Sequence, residues 1–226
     1  MPERSGIEWS GLRDAYGDAA VVPSLLERLW SPGAADRQLA IDELWSRLCH
    51  QETVYSASAA AIPSLVDAAM NGVLTSVQRL LVLSLIVCIG RGEDTCWKGY
   101  SSKEEMEACR MAVAAFVPEI VGWAQHEDRV AQGVALQLGV YHPNEFLASG
   151  VEPASLLTDV DEEAAAAGAS LARTIIASRP VDAATVRAAA AHDDDALDYL
   201  DTALTEEATD RQARAIALEL LDRLRP

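Results

Sequence analysis

The sequence predicts an all-α protein built as an α-solenoid of about five to six antiparallel helical hairpins. Three observations lead there. The chain has 226 residues that are 50% hydrophobic but only 5% aromatic, with about 40 alanines. Alanine is the strongest helix former, and β-branched and aromatic strand formers are comparatively few. A proline phrase recurs: Val22-Pro23-Ser24-Leu25-Leu26 returns as Ile62-Pro63-Ser64-Leu65-Val66, and again as Val117-Pro118-Glu119-Ile120-Val121. A second phrase interleaves with it. Asp36-Arg37-Gln38-Leu39-Ala40-Ile41 is matched by Asp128-Arg129-Val130-Ala131, by Asp210-Arg211-Gln212-Ala213 and more loosely by Gln78-Arg79-Leu80-Leu81. Two alternating helix types at a period near forty residues describe stacked helical hairpins, each burying the apolar face of its neighbour.

The elements follow in order. Apolar periodicity predicts helices over 8–16, 23–31, 36–49, 57–71 and 75–90, then 104–125 broken near Pro118. Further helices are expected over 128–141, 144–149, 161–178, 182–191, 193–204 and 207–224. Each proline of the recurring phrase suits the first turn of a helix, where a missing N–H costs nothing and a fixed φ is already helical. In the second phrase an acidic or polar residue caps the helix, an arginine follows, and small and large apolar residues alternate along one face. Breakers stand between the helices at Ser31-Pro32-Gly33, Asn71-Gly72, His142-Pro143-Asn144, Ser149-Gly150 and Arg179-Pro180. With no Gly/Ser-rich linker, 1–226 reads as one domain carrying an inserted loop at about 91–104.

Charge and ends narrow the function classes. With 35 acidic against 18 basic side chains the formal net charge is -17. That disfavours nucleic acid and anionic membranes as partners, since both need clustered Lys and Arg. The first ten residues lack the apolar core of a signal peptide, and the longest apolar run, Leu80 to Ile89, is far too short to span a bilayer. The expectation is a reduced, cytoplasmic protein. The four cysteines show no Cys-x-x-Cys spacing, so no metal or other cofactor is expected. Cys49 and Cys88, in apolar stretches, read as small core residues, and a Cys96–Cys109 disulfide is left open.

The paired phrases carry a family resemblance. The x-Pro-x-Leu and Asp-Arg-x-x-Ala-x-x-x-Leu pairing resembles bacterial HEAT repeats of the type related to phycobilisome-lyase repeats. The stretch Trp9 to Leu65 is similar to the N-terminal part of a bacterial HEAT-repeat group, through Trp9, Leu12, Ala15-Tyr16-Gly17-Asp18-Ala19, Pro23, Leu25, Glu43-Leu44, His50-Gln51, Thr53-Val54-Tyr55 and Ile62-Pro63. Glu52 stands where that pattern usually has glycine. The resemblance covers about 140 residues, and about the last 70 only as generic repeats. It implies a right-handed, HEAT/armadillo-like solenoid and a non-catalytic protein-binding scaffold with a concave surface, because most such arrays bind proteins.

Several residues are candidates for contact with a protein partner. His50, Glu52 and Tyr55 lie in one loop, where they form either a small acid–base cluster or helix caps, with His50 and Gln51 on the last carbonyls of one helix and Thr53 or Ser56 starting the next. Trp97, Lys98 and Tyr100 lie in the 91–102 insertion, either a contact element or a tolerated surface loop whose Trp97 folds back. Asp194, Asp198 and Asp201 follow i, i+4, i+7 spacing, a stripe that meets a basic partner or is simply solvated. An acidic immunity or inhibitor protein that neutralises a basic toxin or nuclease is the alternative function. Enzymes come third. One His126-Glu127 pair among four histidines falls short of a di-iron site, and 18 dispersed cations do not make a DNA glycosylase groove. Trp30 and Trp45 read as core residues.

Overall fold

A computed structural model describes residues 7–91, 100–157, 163–177, 183–191, 197–198 and 200, and the statements below concern these. The protein is all-α, apart from two very short hairpins. In chain order it comprises a 3-10 turn (Trp9–Gly11), the hairpin β1 (Arg13–Asp14) and β2 (Gly17–Asp18), α1 (Val22–Arg28) and α2 (Ala34–Leu48). A second hairpin, β3 (Cys49–His50) and β4 (Thr53–Val54), leads into α3 (Ser56–Asn71) and α4 (Ser76–Arg91). There follow α5 (Lys103–Ala114), α6 (Val117–Ala124), α7 (Arg129–Tyr141), α8 (Pro143–Ala148), a 3-10 turn (Pro153–Ser155), α9 (Glu163–Ile176) and α10 (Ala183–Ala189). The chain groups into two compact units, Met1–Ile120 and Val121–Pro226.

In the first unit α1 packs on α2 and α3, α2 on α4, α3 on α4 and α5, and α4 on α5. Leu29, Ile41, Leu44, Leu48, Ile62, Leu65, Leu83, Leu85, Ile86 and Ile89 are all essentially removed from water. Burying one such side chain stabilises by roughly 1.5–3 kcal/mol, so this seam dominates the unit. Alanines on the same faces, Ala40, Ala57, Ala61 and Ala68, are fully buried and leave room for the larger residues opposite.

Polar contacts align α2 with α4 in parallel. Near their starts, the buried Arg37 donates through Nε to Gln78 Oε1 at 3.1 Å and through Nη1 to the carbonyls of Ser31 and Pro32 at 2.7 and 3.1 Å. Gln78 returns a bond from Nε2 to the Ala34 carbonyl at 2.7 Å. Midway, Trp45 Nε1 donates to the Leu81 carbonyl at 3.0 Å. At their ends Cys49 and Cys88 are joined by a disulfide, with Cα atoms 6.5 Å apart.

In the second unit α7 packs on α8 and α9, and α9 on α8 and α10. Phe146, Leu138, Leu171 and Ile176 are its buried centre. Gly139 permits the closest approach, because a Cβ there would fall on the Phe146 ring and within 2.7 Å of Ile176 Cδ1. Arg173 Nη2 donates to the carbonyls of Leu156 and Leu157 at 2.5 and 2.7 Å, tying α9 to the turn before it. The Ser149-Gly150 breaker ends α8 with Gly150 at φ +75°, a left-handed position that glycine takes without strain.

Four sequence expectations are corrected. The helix expected over 8–16 is a 3-10 turn followed by a hairpin: Asp14 and Gly17 face each other across Ala15-Tyr16, and Gly17 at φ +123° carries the chain back. Pro63 lies inside α3 instead of at its first turn, because the helix starts seven residues earlier. There the Ser58 hydroxyl accepts from the Tyr55 N–H at 2.9 Å and donates to the Leu48 carbonyl at 2.6 Å. That serine thus serves the Leu48 carbonyl expected of His50 and Gln51, and in place of a Thr53 or Ser56 cap the Ser56 N–H donates to Glu105 Oε1 at 3.2 Å. Cys49 and Cys88 are cross-linked instead of free core thiols, since adjoining parallel helices bring them together, and the expectation of a fully reduced chain fails at this pair. Cys109 is a free, buried thiol, and Cys96 lies outside the described residues. Trp30 and Trp45 are half-buried.

Candidate functional site

The two hairpins create the most elaborate polar array in the first unit, centred on adjacent residues of β1. Asp14 is buried. Its Oδ1 accepts from the Tyr16 N–H at 2.8 Å, which shapes the turn, and its Oδ2 accepts from Arg47 Nη1 at 2.9 Å. The Ala15 N–H donates to the Arg47 carbonyl at 3.0 Å, so the turn sits on the last turn of α2. Arg47 Nε also donates to Glu43 Oε1 at 2.9 Å. Burial pulls the Arg47 guanidinium downward, but the bonds to Asp14 and Glu43 outweigh it and hold the group above its ordinary value. The same guanidinium lies over the Tyr16 ring, 5.1 Å from its centroid, where the negative ring face attracts the cation. The Tyr16 hydroxyl is hydrogen-bonded to Ser46 Oγ, and the ring meets His50 edge-on at 6.0 Å.

Arg13 organises the other half. Its N–H donates to Ser56 Oγ at 2.8 Å, and its Nη2 donates to Glu105 Oε2 at 2.8 Å and to the Tyr100 carbonyl at 2.9 Å. The guanidinium lies 5.2 Å from the centroid of the Tyr55 ring. Glu105 further accepts from the N–H groups of Ser56, at 3.2 Å, and Ser102, at 2.9 Å, while Ser102 Oγ caps α5 by accepting from the Glu105 N–H at 3.1 Å. Burial pushes the Glu105 carboxyl up, yet the Ser102 N–H, Arg13 and the Ser56 N–H together hold it below the usual glutamate value. Burial raises the Tyr55 phenol, against the opposing pull of the Arg13 charge.

The structure therefore gathers three predicted residues, His50, Tyr55 and Tyr100, around residues that the sequence reading passed over: Arg13, Asp14, Tyr16, Arg47 and Glu105. Two signals were present. Asp14-Ala15-Tyr16-Gly17 is a turn signature, and Ser102-x-x-Glu105 is a capping box. His50, Glu52 and Tyr55 are instead turned to different partners, because Glu52 sits in the left-handed turn of the hairpin and Tyr55 lies beyond β4 at the start of α3. His50 meets Tyr16, Tyr55 lies beneath Arg13, and Glu52 Oε1 faces Arg91 Nη1 at 3.8 Å. In this array the guanidinium groups of Arg13 and Arg47 each meet a carboxylate. Beside the half-exposed Arg13 and Glu43 side chains, it turns aromatic surface to water: Tyr16 and Tyr100 are each 61% exposed.

The hairpin β3–β4 also contacts Arg91 and Ser101. Glu52 meets Arg91 on one side, and Ser101 Oγ accepts from the Val54 N–H at 3.0 Å and donates to the Val54 carbonyl at 2.7 Å on the other. Trp97, Lys98, Asp194 and Asp201 lie outside the described residues, and Asp198 is exposed. Among the described residues no group of three His, Cys, Asp or Glu side chains is placed to hold a metal ion. Nor is any described helix long and apolar enough to cross a membrane. No protein family, no curated protein and no solved structure matches the chain.

Proposed function

We propose that the protein is a non-catalytic protein-binding scaffold of the HEAT/armadillo-like solenoid type, whose partner is a basic or amphipathic protein segment. The observation that carries this reading is the parallel stacking of α2 on α4, through Arg37–Gln78, Trp45–Leu81 and Cys49–Cys88, at offsets of 41, 36 and 39 residues beside the forty-residue period of the sequence. Lateral stacking of like helices is how a solenoid extends a binding face. The array at the hairpins supports a binding role over catalysis. Its arginines are each paired with a carboxylate, and its exposed parts include, beside Arg13 and Glu43, two tyrosines, which give large contact area for little side-chain entropy. A net charge of -17 favours a basic partner and speeds its encounter.

The test is affinity capture with the full chain from its native cell extract, identification of bound proteins, and titration of the purified partner. A Tyr16→Ala/Tyr100→Ala chain is expected to bind at least tenfold more weakly, and raising salt should weaken wild-type binding. Full affinity in that double variant, or binding only to acidic partners, sinks the reading. The charge also favours the inhibitor alternative, which predicts that the captured partner is a toxin or nuclease whose activity the protein abolishes at equimolar ratio.

A further inference from the structure

We propose that Cys49 and Cys88 form a reversible thiol–disulfide staple that sets how firmly the β3–β4 hairpin is held against α4. The inference does not depend on what the hairpin face binds.

Placement is the first argument. Cys49 is the first residue of β3 and follows directly on α2, whereas Cys88 lies in the last turn of α4. The cross-link is thus the third point of attachment along two parallel helices, beyond Arg37–Gln78 and Trp45–Leu81. The first two remain when the third is cut, so the helices stay aligned and the reduced chain stays folded. What loses its tether is the hairpin. Its tip is Gln51-Glu52, both left-handed at φ +50° and +68° without a glycine, a conformation that costs roughly 1–2 kcal/mol per residue. With the staple open, the remaining non-covalent ties to neighbouring segments include the Glu52–Arg91 pair, the Ser101–Val54 bonds and the Ser58–Leu48 bond.

Access and thiol chemistry are the second argument. Cys88 is half-buried and Cys49 only 4% exposed, so an external thiolate reaches the Cys88 sulfur first. Attack there breaks the S–S bond, forms a mixed disulfide at Cys88 and releases Cys49 as thiolate, which takes up a proton. A second external thiolate then frees Cys88 and leaves as the symmetrical small-molecule disulfide. The net change is two thiols oxidised and one disulfide reduced; closure is the reverse, with a small-molecule disulfide such as oxidised glutathione as oxidant. Cys109 stays out of the exchange. It is fully buried, and burial together with the nearby Glu105 charge pushes its thiol up to about 12, so hardly any thiolate forms at neutral pH.

The full chain is equilibrated natively in glutathione mixtures of graded oxidised-to-reduced ratio, quenched in acid, alkylated and mapped as peptides. A Cys49–Cys88 peptide pair is expected to rise from absent to dominant across the series. Deuterium uptake is then compared between the two states. Amides of 49–54 should exchange at least tenfold faster in the reduced state, while those in the middle of α2 and α4 keep their protection. Reduction should lower the melting temperature of the first unit by on the order of 10 °C, and a Cys49→Ser/Cys88→Ser chain should ignore reductant. Three results overturn the proposal: both thiols alkylated throughout the series, Cys88 linked to Cys96 instead, or a pair that persists in the most reducing mixture. Equal exchange at 49–54 in the two states also overturns it. The mapping and exchange use the wild-type chain, so they decide the matter even if the double variant fails to fold.

Discussion

Arg37 Nε donates to Gln78 Oε1 at 3.1 Å, and the two residues stand 41 positions apart in the chain. The contact joins the starts of two helices that carry related phrases, Asp36-Arg37 and Gln78-Arg79. Arg37 thereby bonds the residue that stands, in the later phrase, at the place of its own neighbour Asp36. Because Arg37 is only 6% exposed, its hydrogen bonds are made largely out of water.

Replacing Arg37 should therefore be costly. Arg37→Ala strands the carbonyls of Ser31 and Pro32 and one acceptor of Gln78, and leaves a gap between α2 and α4. Loss of about 2–4 kcal/mol is expected in urea unfolding. Arg37→Lys should recover less than half of it, because a point ammonium cannot serve the divergent acceptors that the planar fork reaches.

Glu105 gives the first unit an acid-sensitive contact. Its native pKa lies below the ordinary glutamate value, so the folded state releases the proton more readily than the unfolded one. Its contribution is fully present above the unfolded pKa and is lost as pH falls through the lower native value. Melting temperature measured downward from pH 6 should fall more steeply in wild type than in Glu105→Gln. If both chains give parallel curves, the Arg13–Glu105 pair is not the source.

The hairpin tip predicts a stabilising change. Glu52 holds φ +68° with a Cβ, and a glycine there removes the clash. Against that stands its ion pair with Arg91, a long contact of 3.8 Å with the Glu52 side chain 42% exposed, worth little in solvent. Glu52→Gly should gain about 0.5–1 kcal/mol of net stability, read as a shift in the urea midpoint.

In the second unit, Gly139→Ala should do the reverse. Its Cβ would overlap the Phe146 ring and press on Ile176, both fully buried. Overpacking of about 1–3 kcal/mol is expected, and a Gly139→Ala/Phe146→Leu chain should regain part of the loss in thermal unfolding.

The legible part of the fold was the part written in local patterns. Helices α2, α3, α4, α7, α8, α9 and α10 fall within a few residues of their expected ranges, and the break between α5 and α6 falls just before Pro118. Apolar periodicity and capping residues act over one or two turns, which is why a single sequence reveals them. The site was less legible. His50, Tyr55 and Tyr100 stood out by residue type, but Arg13 and Glu105, 92 positions apart, meet only after α3 and α5 have packed. The expected helix over 8–16 failed because Asp14 finds a better use in the turn and in Arg47 than in a helix.

By itself, then, the sequence determined the helical class, the forty-residue rhythm and the acidic surface charge, since these depend on composition and on neighbours in the chain. Only the tertiary structure decided that Cys49 meets Cys88, that two short hairpins gather the arginines and tyrosines, and that Asp14 is buried against Arg47. Those pairings depend on distances across the helix stack, which are set when apolar faces close together and leave each buried charge to find its partner.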